Sequence, residues 1–422
     1  RSRASGMSGA NRWRLAAWML LAGQGVAQAQ TEWHSEGFLA LRSGVTDGPV
    51  GWLQGGYGRL PDGADDGVQA GAGLEGRWLL GFDAGLAWSG RLHLAGRTDR
   101  DAGGRHLGVV EAFIERRWFG EDGQRWQLRG GQFFLPTSME NIERGWVSPY
   151  TLTHSALNSW IGEEFRPLGL DLSWRRALDE QRSLELAATV FQGNDASGAL
   201  LAWRGFAWHD RVSVYGEALP LPDLFSLRDP AIFGDQRDDG TQPFGRDLDG
   251  RPGYALRLRL AGERQAWRLA AVDSRGDLDL HRGEYAWRSR FVVAGWERDA
   301  LSEGWGYAAE WLAGDTRMGI PGRPKVHLRF NTAYLLASYG RDPWRYTVRV
   351  EGFDSDDLDR SAAENNEESG WALTLAALRQ FERWRVGVEY LYVDGQRPAA
   401  AVEGQPLQQG GQQLRLEVRY LF

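Results

Sequence analysis

The chain has 422 residues, 49 of them basic and 56 acidic, for a formal net charge of −7, and no cysteine. An acidic balance argues against a nucleic-acid partner, which needs a net basic footprint. The lack of cysteine excludes a disulfide framework and thiolate metal sites. Glycine (56) and tryptophan (21) are abundant, and Lys325 is the sole lysine, so arginine carries almost all positive charge.

Met7 reads as a start, with Arg1 to Gly6 as an upstream extension. Arg12 and Arg14 precede the apolar run Leu15–Ala22, and Ala27-Gln28-Ala29 is a small-residue cleavage site. Residues 1–29 are therefore expected to be a secretory signal peptide, and 30–422 one mature domain. The apolar run is too short for a transmembrane helix, and no other stretch reaches the ~18 apolar residues that one needs.

The mature chain alternates apolar and polar residues at period two. Tyr254, Leu256, Leu258 and Leu260 interleave with Arg257 and Arg259. Trp344, Tyr346, Val348 and Val350 interleave with Arg345, Thr347, Arg349 and Glu351. Trp384, Val386, Val388, Tyr390 and Tyr392 interleave with Arg385, Gly387 and Glu389. Such strands have one oily and one wet face. The spacing predicts strands at 34–43, 67–78, 85–98, 106–118, 125–134, 168–178, 183–192, 253–261, 266–274, 285–299, 304–314, 326–340, 344–354, 370–381, 384–394 and 411–422. Runs of this length, joined alternately by short turns and long loops, predict an all-β transmembrane antiparallel barrel of 16 strands. A further hairpin within 199–217 would make 18. Short turns face the periplasm and long loops face outward. The external segments are then 44–66, 99–105, 135–167, 193–252, 275–284, 315–325, 355–369 and 395–410.

The loop 135–167 is rich in aromatics, and is expected to fold into the barrel and narrow the pore rather than cap it from outside. It brings Glu140, Glu143, Arg144, Trp146, Tyr150, Trp160, Glu163, Glu164 and Arg166 to the constriction. The run Gly131-Gln132-Phe133-Phe134-Leu135-Pro136-Thr137-Ser138-Met139-Glu140 resembles the entry to the constriction loop of the phosphate-selective porins of O and P type. That resemblance implies a 16-stranded general or anion-preferring porin. The arginines do not align with the basic ladders of that family, so phosphate specificity is not carried over.

In the loop 193–252, Asp247-Leu248-Asp249-Gly250 has spacing that can wrap Ca²⁺. The bidentate Glu of an EF-type loop is absent, and solvated turn chemistry explains the run as well, so no metal and no cofactor are expected. Strand phase assigns Arg91, His93, Arg97, Arg257, Arg259, Arg329, Arg349, Arg415 and Arg419 to the pore lining, with Glu111, Glu115, Glu310, Glu351, Glu389 and Glu417. Arginine outnumbers glutamate there, which leans the lumen toward anions; the alternative is that cross-strand ion pairs neutralise the two signs. No histidine sits in a recognised hydrolase motif, and no enzymatic activity is expected.

The carboxy-terminal strand alternates Leu414, Leu416, Val418 and Tyr420 with Arg415, Glu417 and Arg419, then ends on Phe422. An aromatic end of this kind resembles the insertion signal of bacterial outer-membrane barrels. The expectation is a Gram-negative outer-membrane porin, a water-filled channel for ions or small hydrophilic solutes. Its partners would be membrane lipid, lipopolysaccharide, the barrel-assembly machinery and copies of itself in a homotrimer. The alternatives are an 18-stranded polysaccharide exporter of the alginate-export type and an outer-membrane hydrolase.

Overall fold

The computed structural model describes residues 31–422 apart from 65–66, 99–105, 122, 237–239, 244, 320–324, 360 and 362–363. The expected signal peptide lies outside the described residues.

Sixteen antiparallel strands close on themselves. They are β1 (Thr31–Asp47), β2 (Val68–Ala84), β3 (Trp88–Arg97), β4 (Leu107–Phe119), β5 (Arg125–Gln132), β6 (Leu168–Ala177), β7 (Ser183–Gln192), β8 (Gly253–Ala261) and β9 (Gln265–Asp273). The small hairpin of β10 (Leu280–His281) and β11 (Glu284–Tyr285) stands apart from the wall. The wall continues with β12 (Arg288–Arg298), β13 (Gly304–Met318), β14 (Val326–Arg341), β15 (Trp344–Asp357), β16 (Glu368–Phe381), β17 (Trp384–Gln396) and β18 (Gly411–Leu421). Neighbours in sequence are neighbours in the sheet, and β1 pairs with β18 to close it. At the seam the backbone N–H of Phe422 donates to Gly37 O at 3.1 Å, and the N–H of Gly37 donates to Phe422 O at 3.0 Å. A Cβ at Gly37 would stand 2.2 Å from Arg77 O and 2.9 Å from the Phe422 ring, so the seam needs glycine there.

The outward face is apolar over the middle of the wall. Leu39, Leu41, Leu74, Ile114, Leu172, Leu256, Val348, Leu375 and Leu416 are all exposed. A belt of this size and continuity is stable only against lipid, and a closed barrel leaves no unpaired strand edge within it. Aromatics gather beside the short turns in pairs: Trp126–Trp174 at 6.3 Å, Trp267–Trp296 at 6.1 Å, Trp305–Tyr339 at 5.2 Å and Trp384–Tyr420 at 5.0 Å. Trp371–Tyr392, at 5.4 Å, lies toward the long-loop end. Two such girdles are what an outer-membrane barrel places at its interfaces. Among the described residues no helix is long and apolar enough to cross a membrane.

Two expectations need correction. Residues 199–217 add no hairpin to the wall, so the 18-strand alternative falls. That segment carries a short helix, Ala199–Trp203, and packs inside the barrel with Trp203 and Trp208 fully buried. Residues 193–214 of the loop 193–252, expected outside, are thus an interior element. Its apolar side chains explain why: Ala199, Leu200, Leu201, Ala202, Trp203, Phe206 and Trp208 have no other place to leave water.

Candidate functional site

The lumen holds two inner loops, 133–167 and 193–214, and the chemistry of the wall follows what they present. In the half nearer the long loops, an apolar cluster fills the interior beside β12 to β17. Trp160 packs edge-on against Phe291 at 5.1 Å and Phe330 at 5.3 Å. Trp208 meets Phe353 at 5.1 Å, and Trp203 meets Trp287 at 5.0 Å. Wall residues Leu312, Leu328, Phe330, Leu391 and Val393 complete this cluster. Here the usual rule of apolar outside and polar inside is reversed, because the inner loops replace water. Arg329 is the casualty: with Leu328 and Phe330 turned inward, it faces outward and is exposed, 3.9 Å from Asp356. Its assignment to the pore lining is corrected.

The other wall positions expected to line the pore do point inward, but they meet loop as much as water. Glutamates of five strands accept hydrogen bonds from loop backbone N–H groups. Glu111 of β4 takes Phe134 N at 3.0 Å. Glu310 of β13 takes Met139 N at 2.8 Å. Glu351 of β15 takes Ala156 N at 2.8 Å. Glu368 of β16 takes Phe206 N at 3.0 Å, and Glu389 of β17 takes Leu152 N at 2.6 Å and Thr153 N at 3.2 Å. Side chains reinforce the grip. Asn158 Nδ2 donates to Glu310 at 2.8 Å, Tyr334 OH to Glu310 at 2.6 Å, and Trp208 Nε1 to Glu351 at 2.9 Å. A carboxylate accepting from several N–H groups is a strong, charge-assisted contact.

Arg349 balances part of this negative charge. It pairs with Glu140 of the first loop and Glu351 of its own strand (2.7 Å), and donates to Thr153 O at 2.9 Å and His154 O at 3.1 Å. Beside β1, β2 and β18, Arg42 bridges Glu75, Asp210 and Glu417, and Arg77 holds Glu75 at 2.6 Å and Gly145 O and Asp210 O at 2.8 Å. Arg415 reaches Asp210 at 3.0 Å and Arg419 reaches Glu417 at 2.8 Å. Arg97 donates to Val212 O at 2.5 Å, Arg129 pairs with Glu115 at 2.6 Å, and His93 lies 3.4 Å from Glu111.

Of the expected constriction residues, Glu140, Trp146, Tyr150, Trp160, Glu163, Glu164 and Arg166 are buried inside the barrel. Glu143 and Arg144 are exposed, pairing with Arg385 at 3.1 Å and Glu36 at 2.6 Å toward the short-turn end. The helix α1 (Ala156–Glu164) is capped by Ser155, whose side chain accepts from Asn158 N. At its other end Glu164 joins the two loops, accepting from Gly198 N at 3.1 Å, Leu200 N at 3.0 Å, Leu201 N at 3.3 Å and Trp160 Nε1 at 2.5 Å. Burial pushes its carboxyl up to about 7, against the hydrogen bonds from Leu200 and Trp160. Burial acts the same way on Glu163, but Arg204 and His209 outweigh it and hold that carboxyl at about 2. Burial pushes Arg166 down to about 9. Its guanidinium donates to Gly162 O at 2.7 Å, to Val110 O at 3.3 Å and to Ser213 O, and lies over the Phe134 ring at 4.1 Å.

Cavities remain along the wall. One of ≈ 330 Å³ runs between β1, β2, β18 and residues 209–211, lined by Arg42, Glu75, Arg97, Asp210 and Arg415 among others. A smaller one, ≈ 160 Å³, lies under Pro136 against β7, β8 and β9. Asp195 comes within 4.8 Å of Asp247 and Asp249, the aspartates noted for their Ca²⁺-like spacing. Their oxygens accept from backbone N–H groups of Leu248, Gly250, Arg251 and Asp277, as in ordinary turn chemistry. The inward direction of the wall residues was readable from strand phase. The grip of wall glutamates on loop backbone was not, since a backbone N–H leaves no mark in sequence.

No family model and no curated protein matches the chain. Solved structures do. The outer-membrane channel DcaP of Acinetobacter baumannii matches with a TM-score of 0.54 at 13% identity, covering 94% of this chain and 99% of that one. OmpF of Salmonella typhi, in complex with daunomycin, matches with a TM-score of 0.54 at 11% identity, covering 92% and 97%. An anion-selective porin from Comamonas acidovorans matches with a TM-score of 0.52 at 10% identity, covering 93% and 100%. The O and P type is not singled out among these folds. A loop-deletion form of OmpT, an outer-membrane protein of Vibrio cholerae, also matches (TM-score 0.50, 9% identity). OmpT is a name borne by an outer-membrane protease as well, so the expectation that the chain lacks enzymatic activity is withdrawn, although sixteen strands fit the porins better. With 16 strands, an apolar belt and inner loops, the chain has the fold of outer-membrane porins and is an outer-membrane barrel.

Proposed function

We propose that the chain is a diffusion channel for small hydrophilic solutes and ions, with residues 1–29 as its export signal and 30–422 as the barrel. The supporting observation is the charged cavity beside the long β1–β2 loop. There the wall charges Arg42, Glu75, Arg97 and Arg415, with Asp210 of the second inner loop, line a ≈ 330 Å³ cavity that the inner loops leave open. Charged walls facing a water-filled space pass ions and select among them by sign. The inner loops act as the constriction, and Glu140, Trp146, Tyr150, Trp160, Glu163, Glu164 and Arg166 are its working residues. The lean is toward anions, and the assembly is a homotrimer. An exporter of the alginate type would need a wider, 18-stranded wall. Planar-bilayer recording of the purified barrel, with reversal potentials in asymmetric salt, tests the proposal. Resolved single-channel steps with an anion-favouring reversal potential are expected, and a silent, correctly folded barrel would sink it.

A further inference from the structure

One level of the inner wall carries more guanidiniums than carboxylates in register, with Glu297 and Glu310 acting on Arg268 alone from outside that row. Reading across β6, β7, β8 and β9, Arg175 stands opposite Glu185, Glu185 opposite Arg259, and Arg259 opposite Arg268. One carboxylate therefore serves three guanidiniums in register. Like charges directly opposite on neighbouring strands are destabilising unless something stands between them.

The partners of these groups sharpen the point. Arg257, one step further in, is paired with Asp171. Arg268 donates to the Ser138 carbonyl of the first inner loop. Arg259 has no hydrogen-bond or ion-pair partner among the described residues, and its Nε is buried. Arg257, Arg259, Arg268 and Glu185 line the ≈ 160 Å³ cavity that Pro136 roofs. Proline has no N–H, so the roof brings no donor of its own to the cavity. That volume is several times the ~30 Å³ share of one water, enough for an ion of four or five heavy atoms.

We infer that this cavity is a binding station for a small oxyanion at the short-turn end of the lumen, held by Arg259 and Arg268 with Arg257 beside them. Guanidinium forks match the paired oxygens of a carboxylate or a tetrahedral oxyanion, which a spherical halide lacks. Arg259 is the main contact, since its fork is uncommitted. Glu185 competes with the ligand and tunes its affinity. The station gives the anion lean of the proposed channel a location, and in that role it rests on the channel reading. The binding itself does not.

The test is equilibrium dialysis of the purified full-length barrel in detergent against radiolabelled inorganic sulfate, with acetate and chloride as competitors. One saturable site is expected, displaced by acetate at concentrations where chloride does not displace it. Arg259→Gln should weaken binding tenfold or more, and Glu185→Gln should tighten it several-fold, with heat-modifiable gel mobility unchanged in both. Absence of saturable sulfate binding by folded barrel, equal displacement by chloride, or full binding by Arg259→Gln would each overturn the station. Bilayer recordings separate the two readings. Binding without conductance sinks the channel and keeps the station, and conductance without binding does the reverse.

Discussion

Arg349 shows how much can hang on one side chain in this lumen. It is fully buried, and it compensates Glu140 and Glu351 while holding two carbonyls of the first loop. Replacing it with Met keeps most of its bulk but leaves those carboxylates unpaired, which costs about 3–5 kcal/mol in a buried site. The loss should fall on loop docking, because the strand keeps its backbone ladder. Amide exchange across residues 139–156 should accelerate while the barrel still runs heat-modifiably. Unchanged protection there would remove Arg349 from the docking machinery. Glu164 gives a pH signature. Its buried carboxyl titrates near 7 rather than at the ordinary 4.5, so docking of the two loops takes up a proton. The stability held by that proton is present below pH 4.5 and is lost as pH rises through 7. The opening constant of residues 198–201 should therefore grow with pH, by at most about tenfold per unit. Protection factors measured from pH 5 to 8 check this, and Glu164→Gln should flatten the profile. A flat profile in the unmodified chain would contradict it.

The strands were legible in sequence because period two is a strong signal, and every wall strand lies within a few residues of its expected place. The inner loops were only half legible. Aromatic content marked 135–167 as an interior loop, but 193–252 has no period to read, and its charged stretches pointed outward. Arg329 fell with it, since strand phase alone cannot tell that Leu328 and Phe330 face a packed loop rather than lipid. This sets an element-scale prediction. Excising 141–160 should raise single-channel conductance only in part, because Trp203, Phe206 and Trp208 still occupy the lumen. Excising 199–217 as well should give the larger rise and admit bigger sugars, read by liposome swelling. Full conductance from the first excision alone would mean that the second loop leaves the lumen when the channel conducts.

At the scale of the whole barrel, closure rests on a short seam. β1 and β18 pair from Phe38–Leu421 to Asp47–Gln412, and the two bonds between Phe422 and Gly37 finish it. Replacing Phe422 with Asp puts a charge at the lipid-facing end of this seam. Removing Phe422 also removes both bonds. Either change should lower the yield of heat-modifiable barrel in outer-membrane fractions. Gly37→Val should do so too, through collision with Arg77 O and the Phe422 ring. Normal assembly of all three variants would show that the seam is not where closure is decided.

The wall holds its inner loops by a feature that every amino acid but proline possesses. Phe134, Met139, Leu152, Thr153, Ala156 and Phe206 each offer a main-chain N–H, and of the side chains above those atoms only the Thr153 hydroxyl joins in, donating to Glu389 at 2.7 Å. A lineage could therefore rewrite much of the loop alphabet, and with it the size and taste of the passage, while the same glutamates went on gripping the same thread.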